Sequence, residues 1–191
     1  MTNTESQAMS APLTITVVKR NGEREAYDAN KINLAIERAS AGLDDNITWV
    51  TQIASELELT LFDGITTQQL DEAVIQVALQ NVKDDPAFDT VAARLLLKTI
   101  YKRVLGDYDT AEELKALQHT GHFHANVRRG VDEGLLDPRL VELFDFAVLS
   151  AALEPAHDEL LKYIGVVTLN NRYGIKGRNG DALEVPQYFW M

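Results

Sequence analysis

The stretch Val17–Ala39, VVKRNGEREAYDANKINLAIERA, places three cations around one tight turn and one helix entrance. Its opening is β-rich from Leu13 to Val18. Asn21-Gly22 then signals a two-residue hairpin, because both central positions of a type I′ turn need positive φ. Arg24 to Tyr27 is the returning strand. Asp28 is placed to cap a helix whose apolar residues, Ile32, Ala35, Ile36, Ala39 and Leu43, fall at helical spacing.

Working outward, the same periodicity predicts a second helix over 48–61, with Val50, Ile53, Leu57 and Leu61 on one stripe, broken by Asp63-Gly64. Thr66 and Gln69 have capping-box spacing and open a third helix carrying Leu70, Val74, Val77 and Ala78. A fourth runs from about Phe88 to Leu105, with Val91, Ala92, Leu95, Leu96 and Ile100 inward, and Gly106 closes it. Beyond it, Thr110 with Glu113 is another capping box. Asp137-Pro138 starts a helix with Leu140, Leu143, Phe144 and Val148 at helical spacing. Tyr163–Tyr173 fits either helix or strand, and Lys176–Asp181 is a polar turn. The fold class is mainly α, a β-hairpin capping a four-helix bundle over 13–106, followed by a helical region with little β over 107–191. Residues 1–12 read as a disordered leader without the basic and apolar segments of a secretory signal. The apolar ending PQYFWM reads as a cut within a longer chain.

The 191 residues carry 18 Lys and Arg against 29 Asp and Glu, a net charge of −11. That balance opposes general nucleic-acid binding, which draws its affinity from neutralised phosphates. No apolar run is long enough to span a membrane. The chain has no cysteine, which removes disulfides, Cys-based zinc sites and thiol catalysis from these residues and fits a cytoplasmic protein.

Against that acidic background the local basic groups stand out. Lys19 and Arg20 flank the turn, Lys31 lies in a first helical turn where free N–H groups favour anions, and Lys98 and Lys102 share a helix face. Such a set could hold a polyphosphate. Thr67 and Asp71, also four apart, could receive ribose hydroxyls, and Glu25 or Asp28 an exocyclic amine. Spacing alone favours the plainer reading of a solvated basic surface, and no Walker-type loop or GxGxxG is present. His119, His122 and His124 in HTGHFH read as surface residues rather than zinc ligands. Trp49 and Trp190 read as core or interface residues, and Arg128-Arg129 as a solvated pair.

Taken in order, VVKRNGEREAYDANKINLAIERA, LFDGITTQQLDEAVIQVAL and DDPAFDTVAARLLLKTIYKRVLG resemble the ATP-cone of ribonucleotide reductase large subunits. GLLDPRLVELFDFAVLSAALEPAHDELLKYIGVVTLNNRYGI and LEVPQYFWM resemble the region leading into the reductase barrel. The resemblance implies a nucleotide pocket of Val17, Lys19, Arg20, Glu25, Asp28, Lys31, Ile32, Thr67, Asp71, Lys98 and Lys102. In it, cations hold phosphates, the start of the first helix recognises adenine, and Thr67 and Asp71 lie near the sugar. Keeping Lys19, Arg20, Lys31, Thr67 and Lys102 together argues for a competent site. It further implies ATP and dATP as effectors, Mg2+ carried only on their phosphates, and no other metal. Implied partners are the rest of the large subunit and a radical-generating small subunit, with an oligomeric state that responds to dATP. The parent enzyme would be a ribonucleoside-diphosphate reductase, with its catalytic cysteines outside this chain. Two alternatives remain: a cone that serves only as an interaction module, and a cone-bearing transcriptional repressor, which the missing cysteines and the acidic charge oppose.

Overall fold

A computed structural model describes residues 15–43, 46–106 and 112–191. The leader expected over 1–12, the start of the first strand at Leu13 and Thr14, and the Thr110 cap lie outside the described residues. The chain folds as expected into a mainly helical structure with a small sheet near its N-terminus.

Strands β1 (Thr16–Val18) and β2 (Arg24–Ala26) pair antiparallel, with Val17 opposite Glu25. Their connection corrects the two-residue expectation. The Lys19 N–H donates to the Glu23 carbonyl at 2.8 Å, and the Gly22 N–H to the Lys19 carbonyl at 2.9 Å, leaving Arg20, Asn21 and Gly22 as a three-residue loop. Gly22 alone supplies the left-handed step of a bulged turn, at φ 84°. Asn21 Oδ1 accepts from the Glu23 N–H at 3.1 Å, which locks the loop from inside. A third strand, β3 (Ile65–Thr66), joins parallel to β1, giving the order β2-β1-β3. Asp63 holds this junction by accepting from both the N–H and the hydroxyl of Thr16.

Four helices follow: α1 (Ala29–Ser40), α2 (Asn46–Glu58), α3 (Thr67–Gln80) and α4 (Ala87–Leu105). Asp28 caps α1 by accepting from the Asn30 N–H, and Thr66 with Gln69 completes the predicted capping box on α3. Helix α2 stops at Glu58, short of Leu61, where the Thr60 N–H and hydroxyl both turn back to the Leu57 carbonyl. The first core lies between the sheet and these helices and includes Val17, Ile36, Ile53, Leu57, Val74 and Val91. Trp49 is buried there, 5.1 Å from the Phe88 ring.

In the second half, α5 (Glu112–Asp132) is followed by α6 (Arg139–Leu143), α7 (Phe146–Ala151), a 3-10 turn at Pro155–Leu160, α8 (Tyr163–Thr168) and α9 (Pro186–Trp190). The single helix expected after Asp137-Pro138 is broken. Asp145 accepts from the Ala147 and Val148 N–H groups and restarts the chain as α7. Leu143, Phe144 and Val148 are consequently exposed, and Phe146 is the residue that turns inward. The ambiguous stretch 163–173 is helical, ending in a π turn at Leu169–Tyr173. Lys176–Asp181 is a turn, with Lys176 bridged to Ala182.

The second core gathers Leu97, Ile100, Tyr101, Phe123, Phe146, Val166 and Tyr188. His119 corrects the surface reading of HTGHFH. It is fully buried, because it shares the inward stripe of α5 with Phe123 and Val127, and its ring lies edge-on to Tyr101 and Tyr188. His124 stacks on Phe146 at 4.5 Å. Arg129 is likewise more engaged than a solvated pair, bonding Glu133 at 2.8 Å. Trp190 is exposed and meets the Phe189 ring edge-on. Among the described residues no helix is long and apolar enough to cross a membrane.

Phe88→Ala removes the ring that Trp49 packs on. It is expected to cost about 3–5 kcal/mol, read as a lower urea midpoint with an unchanged slope.

Candidate functional site

The hairpin, the start of α1, the start of α3 and the C-terminal half of α4 enclose a cleft of about 730 Å³. Each wall has a local cause. Alternation along the strands turns Val17, Lys19 and Glu25 to the same side, over the helices. Arg20 enters from the loop. Asp28, Lys31 and Ile32 come from the cap and first turn of α1, and Thr67 and Asp71 from the first turns of α3. Lys98 and Lys102, one turn apart, project from α4. All eleven residues singled out from the sequence thus border one cleft.

Sequence reasoning missed the rest of the lining. Leu70, Val74 and Leu95 form an apolar floor with Val17, and Tyr27, Ala35 and Thr99 also border the space. Leu70, Val74 and Leu95 carried the ordinary signal of a helical core stripe, so nothing in the pattern separated floor from core.

The cleft holds five cations against three carboxylates in a chain of net charge −11. Glu25 organises the mouth, with Lys19 Nζ at 2.9 Å and Lys31 Nζ at 3.2 Å from its two oxygens. The hydrogen bond from Lys19, then that from Lys31, holds the Glu25 carboxyl below its ordinary pKa, and Glu25 in turn raises that of Lys19. Any stability this contributes is present above the unfolded carboxylate pKa and is lost as pH falls through the lowered folded value.

Deeper in, the balance reverses. Burial pushes the Asp71 carboxyl up, opposed by Lys102, Lys98 and Arg20. Burial also pushes the Lys98 ammonium down, helped by Lys102 and opposed by Asp71. The lowered Lys98 pKa means that the folded state binds this proton less tightly than the unfolded chain does, so protonated Lys98 costs stability. Lys31 sits in a helical first turn that contains no acidic residue, where the dipole disfavours a cation and favours an anion. The arrangement therefore suits a strongly anionic ligand that also carries some apolar surface.

Residues 15–103 match the family model of the ATP cone domain. This part of the chain belongs to the ATP-cone family. Cone and second half together match the N-terminal region of ribonucleotide reductase alpha subunits over most of the chain. The chain is 31% identical over 180 residues to the ribonucleoside-diphosphate reductase subunit alpha of Helicobacter pylori, covering 93% of this chain and 21% of that one. It is 35% identical over 130 residues to the subunit alpha of Chlamydia trachomatis, covering 68% and 12%. Against the large subunit of Arabidopsis thaliana it is 27% identical over 177 residues, covering 92% and 21%. The chain thus spans about a fifth, or less, of the length of these curated relatives.

The electrostatics of the cone give a prediction with a clear sign. Lys98→Met removes a desolvated cation, so the ligand-free protein should melt higher by roughly 2–4 °C, which is about 1 kcal/mol for a chain of this length. Differential scanning calorimetry reads the shift, and its excess over the native protein should shrink as pH rises toward the Lys98 pKa.

Proposed function

We propose that the cleft is a sensor for ATP and dATP in a ribonucleotide reductase large subunit, setting whether the parent enzyme makes deoxyribonucleotides. The observation that carries this reading is the convergence of Lys19, Arg20, Lys31, Lys98 and Lys102, from three separate elements, on one cleft with an apolar floor. No tertiary packing need explains why an acidic chain would gather these five groups. A triphosphate supplies the missing counter-charge and relieves the desolvated Lys98. The base then covers apolar surface near Ile32 at the start of α1. Mg2+ is expected to ride on the phosphates, in the manner of a cation that retains much of its water.

ATP and dATP differ by one hydroxyl, so the discrimination has to arise near the sugar. Thr67 and Asp71 are the polar groups of α3 that border the cleft. Asp71 is buried enough for its carboxylate to gain from a hydroxyl donor. A ligand shifts a conformational equilibrium only by its differential affinity for the two states, commonly about 1–3 kcal/mol. The states proposed here are oligomeric forms of the parent large subunit, which also meets a radical-generating small subunit. This chain has no cysteine, so the thiol chemistry of such an enzyme belongs to residues beyond it.

Calorimetric titration of the purified chain with ATP and dATP at fixed Mg2+ tests the reading. Micromolar or tighter binding, about −8 kcal/mol or better, is expected for both. Lys19→Ala should weaken it about 10-fold or more, as befits a lost charged hydrogen bond. A folded chain that gives no heat with either nucleotide would leave the cone as an interaction module and the basic turn as surface. Asp71→Asn is expected to narrow the ratio of the dATP and ATP dissociation constants while both nucleotides still bind, measured in the same titrations.

A further inference from the structure

Helix α4 carries Thr90, Arg94, Lys98 and Lys102 at intervals of four, so they follow one inclined ridge. Its C-terminal pair borders the cleft. Its N-terminal pair does something else. Thr90 Oγ1 accepts from Lys162 Nζ at 2.7 Å, which ties the ridge to the segment entering α8.

Arg94 reaches in two directions. Its Nη1 donates to the carbonyls of Ala39 at 3.0 Å and Ala41 at 2.8 Å, closing the C-terminal end of α1. Its Nε lies 3.4 Å from Glu159 Oε2, on the 3-10 turn of the second half, in an ion pair without an aligned hydrogen bond. One guanidinium therefore touches α1, belongs to α4 and faces the second half. Helix α1 is about 18 Å long, with cleft residues Asp28, Lys31 and Ile32 at one end and the Arg94 contact at the other. A shift of α1 on binding at its N-terminus must displace Ala39 and Ala41, and with them the guanidinium. Tyr101, which donates to Asp158 Oδ2 at 2.8 Å, also joins α4 to that turn, but that bond does not engage α1.

We infer that Arg94 is a positioning residue that transmits occupancy of the cleft from the far end of α1 to Glu159 and the segment 155–168. The inference rests on the cleft being a nucleotide site. The two long-range commitments of the side chain divide its roles. The carbonyl bonds are short and satisfy the end of a helix, where a cation is favoured by the dipole. The Glu159 contact is longer and misaligned, between side chains 23% and 37% exposed, so it is the joint that a small movement makes or breaks.

Hydrogen exchange of residues 155–168, with and without saturating dATP, tests this on the whole chain alongside calorimetry. In the native protein dATP should slow exchange across that segment by about 5-fold or more, the lower end of common allosteric couplings. Arg94→Gln and Glu159→Ala should still bind dATP with a dissociation constant within about 5-fold of native and should lose the slowing. An Arg94 with a merely structural part would lower the melting temperature and leave the slowing intact, and that result overturns the inference. So does a native protein that binds dATP without slowing the segment, or an Arg94→Gln that loses binding outright. Should Arg94→Gln fail to fold, Glu159→Ala decides alone, since it leaves the α1 cap in place. Absence of heat from the native chain would instead bring down the nucleotide reading, and this inference with it.

Discussion

Helix α4 buries apolar side chains on two sides at once: Phe88, Val91, Ala92 and Leu95 in the first core, Ala93, Leu97, Ile100, Tyr101 and Leu105 in the second. Leu96 and Tyr163 pack against both cores. A helix covered this way cannot move relative to one core without disturbing the other, because interiors are close-packed and stiff. The remaining surface of α4 is narrow, and Lys98 and Lys102 occupy part of it. Lys98 and Lys102 therefore stand on an element fixed in both cores, while Lys19 and Arg20 stand on a short hairpin whose loop is exposed.

That asymmetry sets where energy is stored. Burial disfavours the charged forms of Lys98 and Asp71, and the structure around them tolerates the cost because α4 and α3 are fixed by the first core. At the mouth, by contrast, Glu25 satisfies Lys19 and Lys31 at little desolvation cost. The anionic ligand proposed above would meet a pre-formed set of cations partly neutralised by Glu25, then Lys98, whose buried charge it would offset. On the proposed function, binding strength and resting stability would draw on Lys98 with opposite signs, the trade-off common at functional sites.

Helices α1, α3 and α4 were legible because a cap or stop residue and 3.6-residue periodicity agreed, whereas α2 rested on periodicity alone and its end was misplaced. Asp28, Thr66 and Gly106 sit where the chain starts or stops. Strand β3 was invisible: two residues carry no alternation, and its pairing depends on Asp63 reaching Thr16 across 47 positions. The break between α6 and α7 was hidden for a different reason. Leu140, Leu143, Phe144 and Val148 keep helical spacing, yet Asp145 offers its carboxylate to two backbone N–H groups and wins locally. His119 was misplaced because a lone histidine carries no mark of its face, and only the neighbouring Phe123 and Val127 hint at it. The charged half of the cleft was legible from the order of several motifs rather than from any one of them. Its apolar floor was not, since Leu70, Val74 and Leu95 serve cleft and core together.

The bulged loop at Arg20-Asn21-Gly22 has a consequence for how this hairpin can change over time. β3 pins β1 through the Val17–Ile65 pairing, so the position of β1 is set from one side and the loop alone sets β2 against it. Side chains alternate with period two, and a slip of one residue would send Glu25 to the outer face. Lys19 and Lys31 would then confront each other across the mouth with no carboxylate between them. The loop can therefore drift in composition, provided its left-handed step is kept, but insertion or deletion of a single codon there would take the carboxylate from the mouth and leave the cleft more strongly positive.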